Sequence, residues 1–126
     1  MTEFEITKIV IREAIYVHRA LGPGLLEEVY KQCLLYRLRK GGLIAIAETP
    51  IPVVFEEVRQ DCGYRADIIV ENKVLVELKC AECLTPTHKA IVFTHIKFAK
   101  LKVGLLFNHA LVLKDGMKRI LNNYYE

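Results

Sequence analysis

Apolar residues follow one spacing over the first 40 positions and another through the middle of the chain. Ile6, Ile9, Val10, Ala14, Val17 and Leu21 recur three or four residues apart, the stripe of an amphipathic helix. Thr2 and Glu5 stand as a capping box at its start, and Gly22-Pro23-Gly24 stops it. Leu26, Tyr30, Cys33, Leu34 and Leu38 mark one side of a second helix, ended by Gly41-Gly42. The pattern then becomes strand-like. Residues 43–48 and 51–56 read as strands, with Pro50 and Pro52 at a strand start or edge. Residues 59–63 read as a turn. A third helix starts near Pro86 with Thr85 as N-cap and runs to about Lys100. Residues 103–107 form a nearly continuous apolar run, the mark of a strand buried on both faces. Residues 111–113 suggest a further strand and Asp115-Gly116 a turn. Residues 117–122 suggest a last strand or helical turn.

Residues 64–79 organise the rest. Ile68-Ile69-Val70 and Val74-Leu75-Val76 are two apolar strands broken by Glu71-Asn72-Lys73, a turn short enough to return the chain antiparallel. With a three-residue loop, Asp67 falls opposite Glu77, and Lys79, two residues on, shares the Glu77 face. Opposed like charges destabilise a hairpin, so a compensating cation is expected there. The order α-α-β-β-β-β-α-β predicts an α/β fold, a mixed central sheet flanked by helices. The helix between 86 and 107 requires at least one parallel strand pair.

Length and composition narrow the class. The 126 residues suffice for one domain, 1–126, with a real core. The 52% apolar and 26% charged content is that of a soluble globular protein, and no apolar run is long enough to span a membrane. The N-terminus lacks a basic segment followed by an apolar one, so a cytoplasmic location is expected. A net charge of +3 permits a nucleic-acid partner without demanding one. In a cytosolic chain Cys33, Cys62, Cys80 and Cys83 are expected to be free thiols. Cys80-Ala-Glu-Cys83 is a C-x-x-C pair, and a structural zinc would need a further cysteine or a histidine.

Two carboxylates and an ammonium suit phosphoryl chemistry. Mg²⁺ takes one or two carboxylates and keeps water and phosphate as its other ligands. Such an ion activates water and stabilises charge building at phosphorus, and Lys79 would meet the phosphate as a point charge. The competing reading is a surface strand with an ordinary carboxylate–lysine pair.

Asp67 followed by Glu77-x-Lys79 resembles the PD-(D/E)XK signature of restriction-endonuclease-like nucleases, with Ala66 where the proline would stand. Gly24-Leu-Leu-Glu27-Glu28-Val-Tyr30 fits Gly-x-x-Glu-x-x-Tyr. The chain resembles the small GxxExxY proteins from about Ile11 to Asn122, through Asp67-Ile-Ile-Val, Val76-Glu-Leu-Lys79, Gly104-Leu-Leu-Phe-Asn108 and Lys118-Arg119-Ile120. That family is similar to PD-(D/E)XK nucleases. The resemblance implies a restriction-endonuclease-like α-β-β-β-α-β core and a Mg²⁺- or Mn²⁺-dependent nuclease acting on DNA or RNA. It implies metal binding by Asp67, Glu77 and Glu27 and catalytic assistance by Lys79. Glu27 lies in the first turn of a helix, where the dipole favours an acid; Glu28 competes for the same role. Tyr30 would hydrogen-bond into the site or serve in the core. Relatives of this kind show Gln-x-x-x-Tyr in the third helix, where this chain has Ile91 and His95. His95, with His88 two turns earlier and Lys89 beside it, would supply polar substrate contacts. A homodimer would let so small a nuclease engage two strands. The alternative is a non-catalytic module on the same fold, binding nucleic acid or protein.

Overall fold

The computed structural model describes residues 1–61, 63–109 and 116–123. Helix α1 (Glu3–Leu21) starts at the expected capping box: Thr2 Oγ1 accepts the Glu5 N–H at 3.1 Å, and the Glu5 carboxylate accepts the Thr2 N–H. Its stripe of Ile6, Val10, Ala14 and Val17 is buried. Helix α2 (Glu27–Lys40) buries Tyr30, Leu34, Leu35 and Leu38. The half-buried Arg37–Glu13 ion pair, at 2.9 Å, ties the two helices together.

Five strands form one sheet: β1 (Ala45–Pro50), β4 (Arg65–Val70), β5 (Val74–Lys79), β6 (Val103–Asn108) and β7 (Met117–Leu121), in the order β1-β4-β5-β6-β7. All neighbours are antiparallel except β5 and β6, which run parallel from Val74↔Val103 to Lys79↔Asn108. Helix α3 (Pro86–Phe98) makes that parallel crossover, capped by Thr85. Helices α1 and α2 cover one face over Ile68, Val70, Val74, Val76, Leu78, Leu105 and Phe107. Helix α3 covers the other, packing Val92 and Ile96 against Ile69, Leu75 and Leu106. The architecture is α/β, a mixed sheet flanked by helices and consistent with a restriction-endonuclease-like fold. The core α2-β1-β4-β5-α3-β6 follows the expected order.

Two local readings change and one open alternative is decided. Residues 59–60 are not turn: β3 (Val58–Gln60) pairs with β2 (Val53–Phe55) in a separate two-stranded sheet. Its residues are all exposed, so no alternation of apolar and polar positions announced it. The first strand begins and ends two residues later than read. Residues 117–121 are strand, because they complete the sheet edge beside β6. The suggested strand at 111–113 lies outside the described residues.

Helix α3 approaches β6 so closely that only glycine fits at 104. A Cβ there would stand 2.8 Å from Ile96 Cγ2 and 2.9 Å from Val92 Cγ1, both buried and branched. Gly104→Ala should therefore cost about 1–3 kcal/mol by overpacking, seen as a lower urea midpoint at unchanged slope. An unchanged midpoint would show that the helix yields freely.

Candidate active site

The β4–β5 ladder runs from Val70↔Val74 to Ile68↔Val76 and stops. Asp67 and Glu77 are the next pair in register. There the Asp67 side chain takes over from the backbone: Oδ2 accepts the Leu78 N–H at 2.8 Å. On the other side of β4 the register sets Glu48 of β1 against Asp67, between Ala47↔Ile68 and Thr49↔Ala66. Glu48 has φ 56°, a left-handed conformation uncommon outside glycine, asparagine and aspartate. Such outliers persist only where the surroundings hold them, and they cluster at functional sites. Three acids thus occupy one row across neighbouring strands. Lys31 of α2, nearly buried, reaches this row and pairs with Glu48 and with Glu28, the latter at 2.7 Å.

The first two acids of helix α2 take different partners. Glu27 Oε1 accepts the Cys80 N–H at 3.1 Å, so it sits at the end of β5 one residue beyond Lys79. Glu28 turns away to Lys31 and Gln32. Tyr30 is fully buried and does not face the site. Its hydroxyl donates to the Gly22 carbonyl and accepts the Leu25 N–H at 3.2 Å, which clamps the Gly-Pro-Gly turn ahead of Glu27. Its ring lies on His109, 4.1 Å between centroids and 6° from parallel. His109 Nδ1 meets His18 Nδ1 at 2.9 Å. Of the two readings of Tyr30, the structure shows the buried one, with the hydroxyl fixing the entry of α2.

On the α3 side, His95 Nδ1 lies 2.5 Å from Glu77 Oε1. A carboxylate only accepts, so the imidazole donates from Nδ1. Glu77 is 5% exposed, and this bond fixes its orientation. Lys79 is partly buried and forms no ion pair among the described residues. His88 returns to the start of its own helix, where Nδ1 accepts the Thr85 N–H at 3.0 Å. That bond caps the start of the helix. Lys89 is exposed, and Ile91 is 41% exposed. Cys33, Cys80 and Cys83 are free thiols, and Cys80 Sγ donates to the Leu25 carbonyl.

Towards the carboxyl end of β5, Asp67 thus accepts from Leu78, Glu27 accepts from Cys80 and Glu77 holds His95, while Lys79 follows Glu77 by two residues on the same strand. Glu48 and Lys31 belong to the same cluster and had no local signal. They reach Asp67 only through the β1–β4 register and the packing of α2.

A family model of the PD-(D/E)XK nuclease superfamily matches residues 4–120. The chain belongs to that superfamily. No curated protein and no solved structure matches it.

Members of such a family imply a divalent metal, and the donor set has the right chemistry. Carboxylate oxygens are hard ligands suited to Mg²⁺ or Mn²⁺. Among the described residues, however, no three His, Cys, Asp or Glu side chains already stand together as a metal cluster. Each acid instead holds a partner within the protein: Cys80 N–H, Leu78 N–H or His95. Burial first, and then the neighbouring Glu77, push the Asp67 pKa up to about 6, against the lowering effect of the Leu78 N–H.

The sign of the pH dependence follows. The folded pKa of Asp67 lies above its unfolded value, so its contribution favours the fold at low pH and is lost as pH rises from about 4 through about 6. His109 acts oppositely. Burial and His18 push its pKa down to about 4, so its contribution is lost as pH falls. The two offset each other in the wild type. Asp67→Asn removes one and retains an acceptor for Leu78. In metal-free thermal melts the variant should match wild type near pH 4 and exceed it by about 2 kcal/mol at pH 8. Equal stability at both pH values would refute the raised Asp67 pKa.

Proposed function

We propose that the protein is a Mg²⁺- or Mn²⁺-dependent nuclease that hydrolyses phosphodiester bonds of DNA or RNA. The observation that supports this reading is that Asp67 and Glu27 accept the Leu78 and Cys80 N–H groups, on either side of Lys79 and next to Glu77, in a chain of the PD-(D/E)XK superfamily. Asp67, Glu77 and Glu27 would hold the ion, exchanging their internal hydrogen bonds for it. The bound ion supplies Lewis acidity toward the phosphate and the attacking water. Lys79 places a positive charge where the phosphorus centre accumulates negative charge. His95 keeps Glu77 turned toward the site by donating from Nδ1. Lys31 neutralises Glu48 and lowers the repulsion that three neighbouring acids would otherwise set up.

A second reading, a binding module without catalysis, draws support from the same internal hydrogen bonds and from Ile91 in place of a polar residue. Cleavage assays separate the two. With Mg²⁺ or Mn²⁺, wild type should cut supercoiled plasmid or single-stranded circular DNA, and EDTA should stop it. Asp67→Asn and Lys79→Ala should each lose roughly a hundredfold or more in rate. The same trace activity in all three proteins would reject the nuclease reading for these substrates.

A further inference from the structure

The side of α3 next to Glu77 carries a groove of about 430 Å³, lined by Tyr64, Thr87, Ala90, Ile91, Thr94 and His95. We propose that this groove takes one unpaired nucleobase, stacked on Tyr64, so that the preferred substrate is single-stranded nucleic acid. The inference rests on the nuclease reading for where the scissile phosphate lies, but the binding it predicts is measurable without cleavage.

Four features point to a base. First, Tyr64 offers an aromatic face, 48% exposed, at the rim. Its main chain is fixed, since the Tyr64 carbonyl accepts the Ile51 N–H at 2.8 Å. The ring leans on His95, 5.9 Å between centroids and tilted by 41°. Aromatic rings held in this way are the usual platforms for bases in single strands, and they tolerate any sequence because every base has a π-face. Second, Ile91 supplies an apolar wall where a hydrogen-bonding residue was expected. An isoleucine beside a phosphate is useless, whereas beside a base plane it adds contact area. Thr87 and Thr94 offer hydroxyls that both donate and accept, which suits base edges without selecting one.

Third, helix α3 itself carries no acidic residue. Between Glu82 and Asp115 the sequence contains no acid, while Lys89, Lys97, Lys100 and Lys102 lie within that span. Of these, Lys89 and Lys97 are exposed on α3 itself. Fourth, the groove is continuous with the candidate active site. His95 forms its inner wall and donates to Glu77, so a base seated there places its own phosphate beside the carboxylates. A base paired within a duplex keeps both faces covered by its stacked neighbours and cannot reach the ring, and this selects the unpaired strand.

The test is fluorescence anisotropy in EDTA with a labelled single-stranded oligonucleotide and with the same sequence as a duplex. Wild type should bind the single strand about tenfold more tightly or better. Tyr64→Ala should weaken single-strand binding by roughly five- to a hundredfold and leave duplex binding unchanged. Tyr64→Trp should retain it. Melting curves confirm that the variants fold, as expected for a half-exposed side chain. Equal or tighter duplex binding, or Tyr64→Ala indistinguishable from wild type, overturns the proposal. Cleavage with Tyr64-independent binding rejects the groove alone. Tyr64-dependent binding without any cleavage rejects the nuclease reading and leaves the groove standing.

Discussion

Where β4 and β5 stop pairing, a backbone N–H would be left without its strand partner, and the Asp67 carboxylate accepts it. That single exchange, side chain for main chain at Leu78, opens the sheet without leaving a buried donor unsatisfied. It also fixes an acid in a half-buried position, next to Glu77 and in register with Glu48. The sheet end is therefore charged for a structural reason. Desolvation raises the energy of the ionised Asp67, and Glu77 raises it further. A cation at this point would relieve both effects, which is why the local strain and the proposed chemistry coincide.

The helical layers are built to serve that opening from both sides. On one side, the Gly-Pro-Gly turn is clamped by the Tyr30 hydroxyl, and Tyr30 is held flat against His109. Glu27 enters three residues before the clamp and so arrives at Cys80 with little freedom. The spacing Gly-x-x-Glu-x-x-Tyr thus has a mechanical meaning: turn, acid, lock. On the other side, Gly104 lets α3 settle onto β6, and that close seat brings His95 to Glu77. Loss of either seat would leave the acids in place in the sequence but not in space.

Much of this was legible in the residues. The helices were marked by their spacing and caps, the hairpin by its apolar runs and polar turn, and the Asp67–Glu77–Lys79 grouping by alternation. The parallel crossover followed from a helix placed between two strands. Other features were not local. Glu48 meets Asp67 only because β1 pairs beside β4 in a given register. Lys31 joins them through helix packing. His88 and His95 look alike along the chain, yet one caps its helix and the other orients a carboxylate. Tyr30 read equally well as a site residue or a core residue, and only its burial decided the matter. Of the β2–β3 hairpin, the first strand falls within the strand read at 51–56, whereas β3, exposed at every residue, has no hydrophobic period to mark it.

The most direct measurement is a crystal structure soaked with Mn²⁺, read by anomalous diffraction. The account predicts one strong anomalous peak bounded by carboxylate oxygens of Glu27, Asp67 and Glu77, with Asp67 released from Leu78. A peak elsewhere, or none with the three carboxylates still on Cys80, Leu78 and His95, would contradict it.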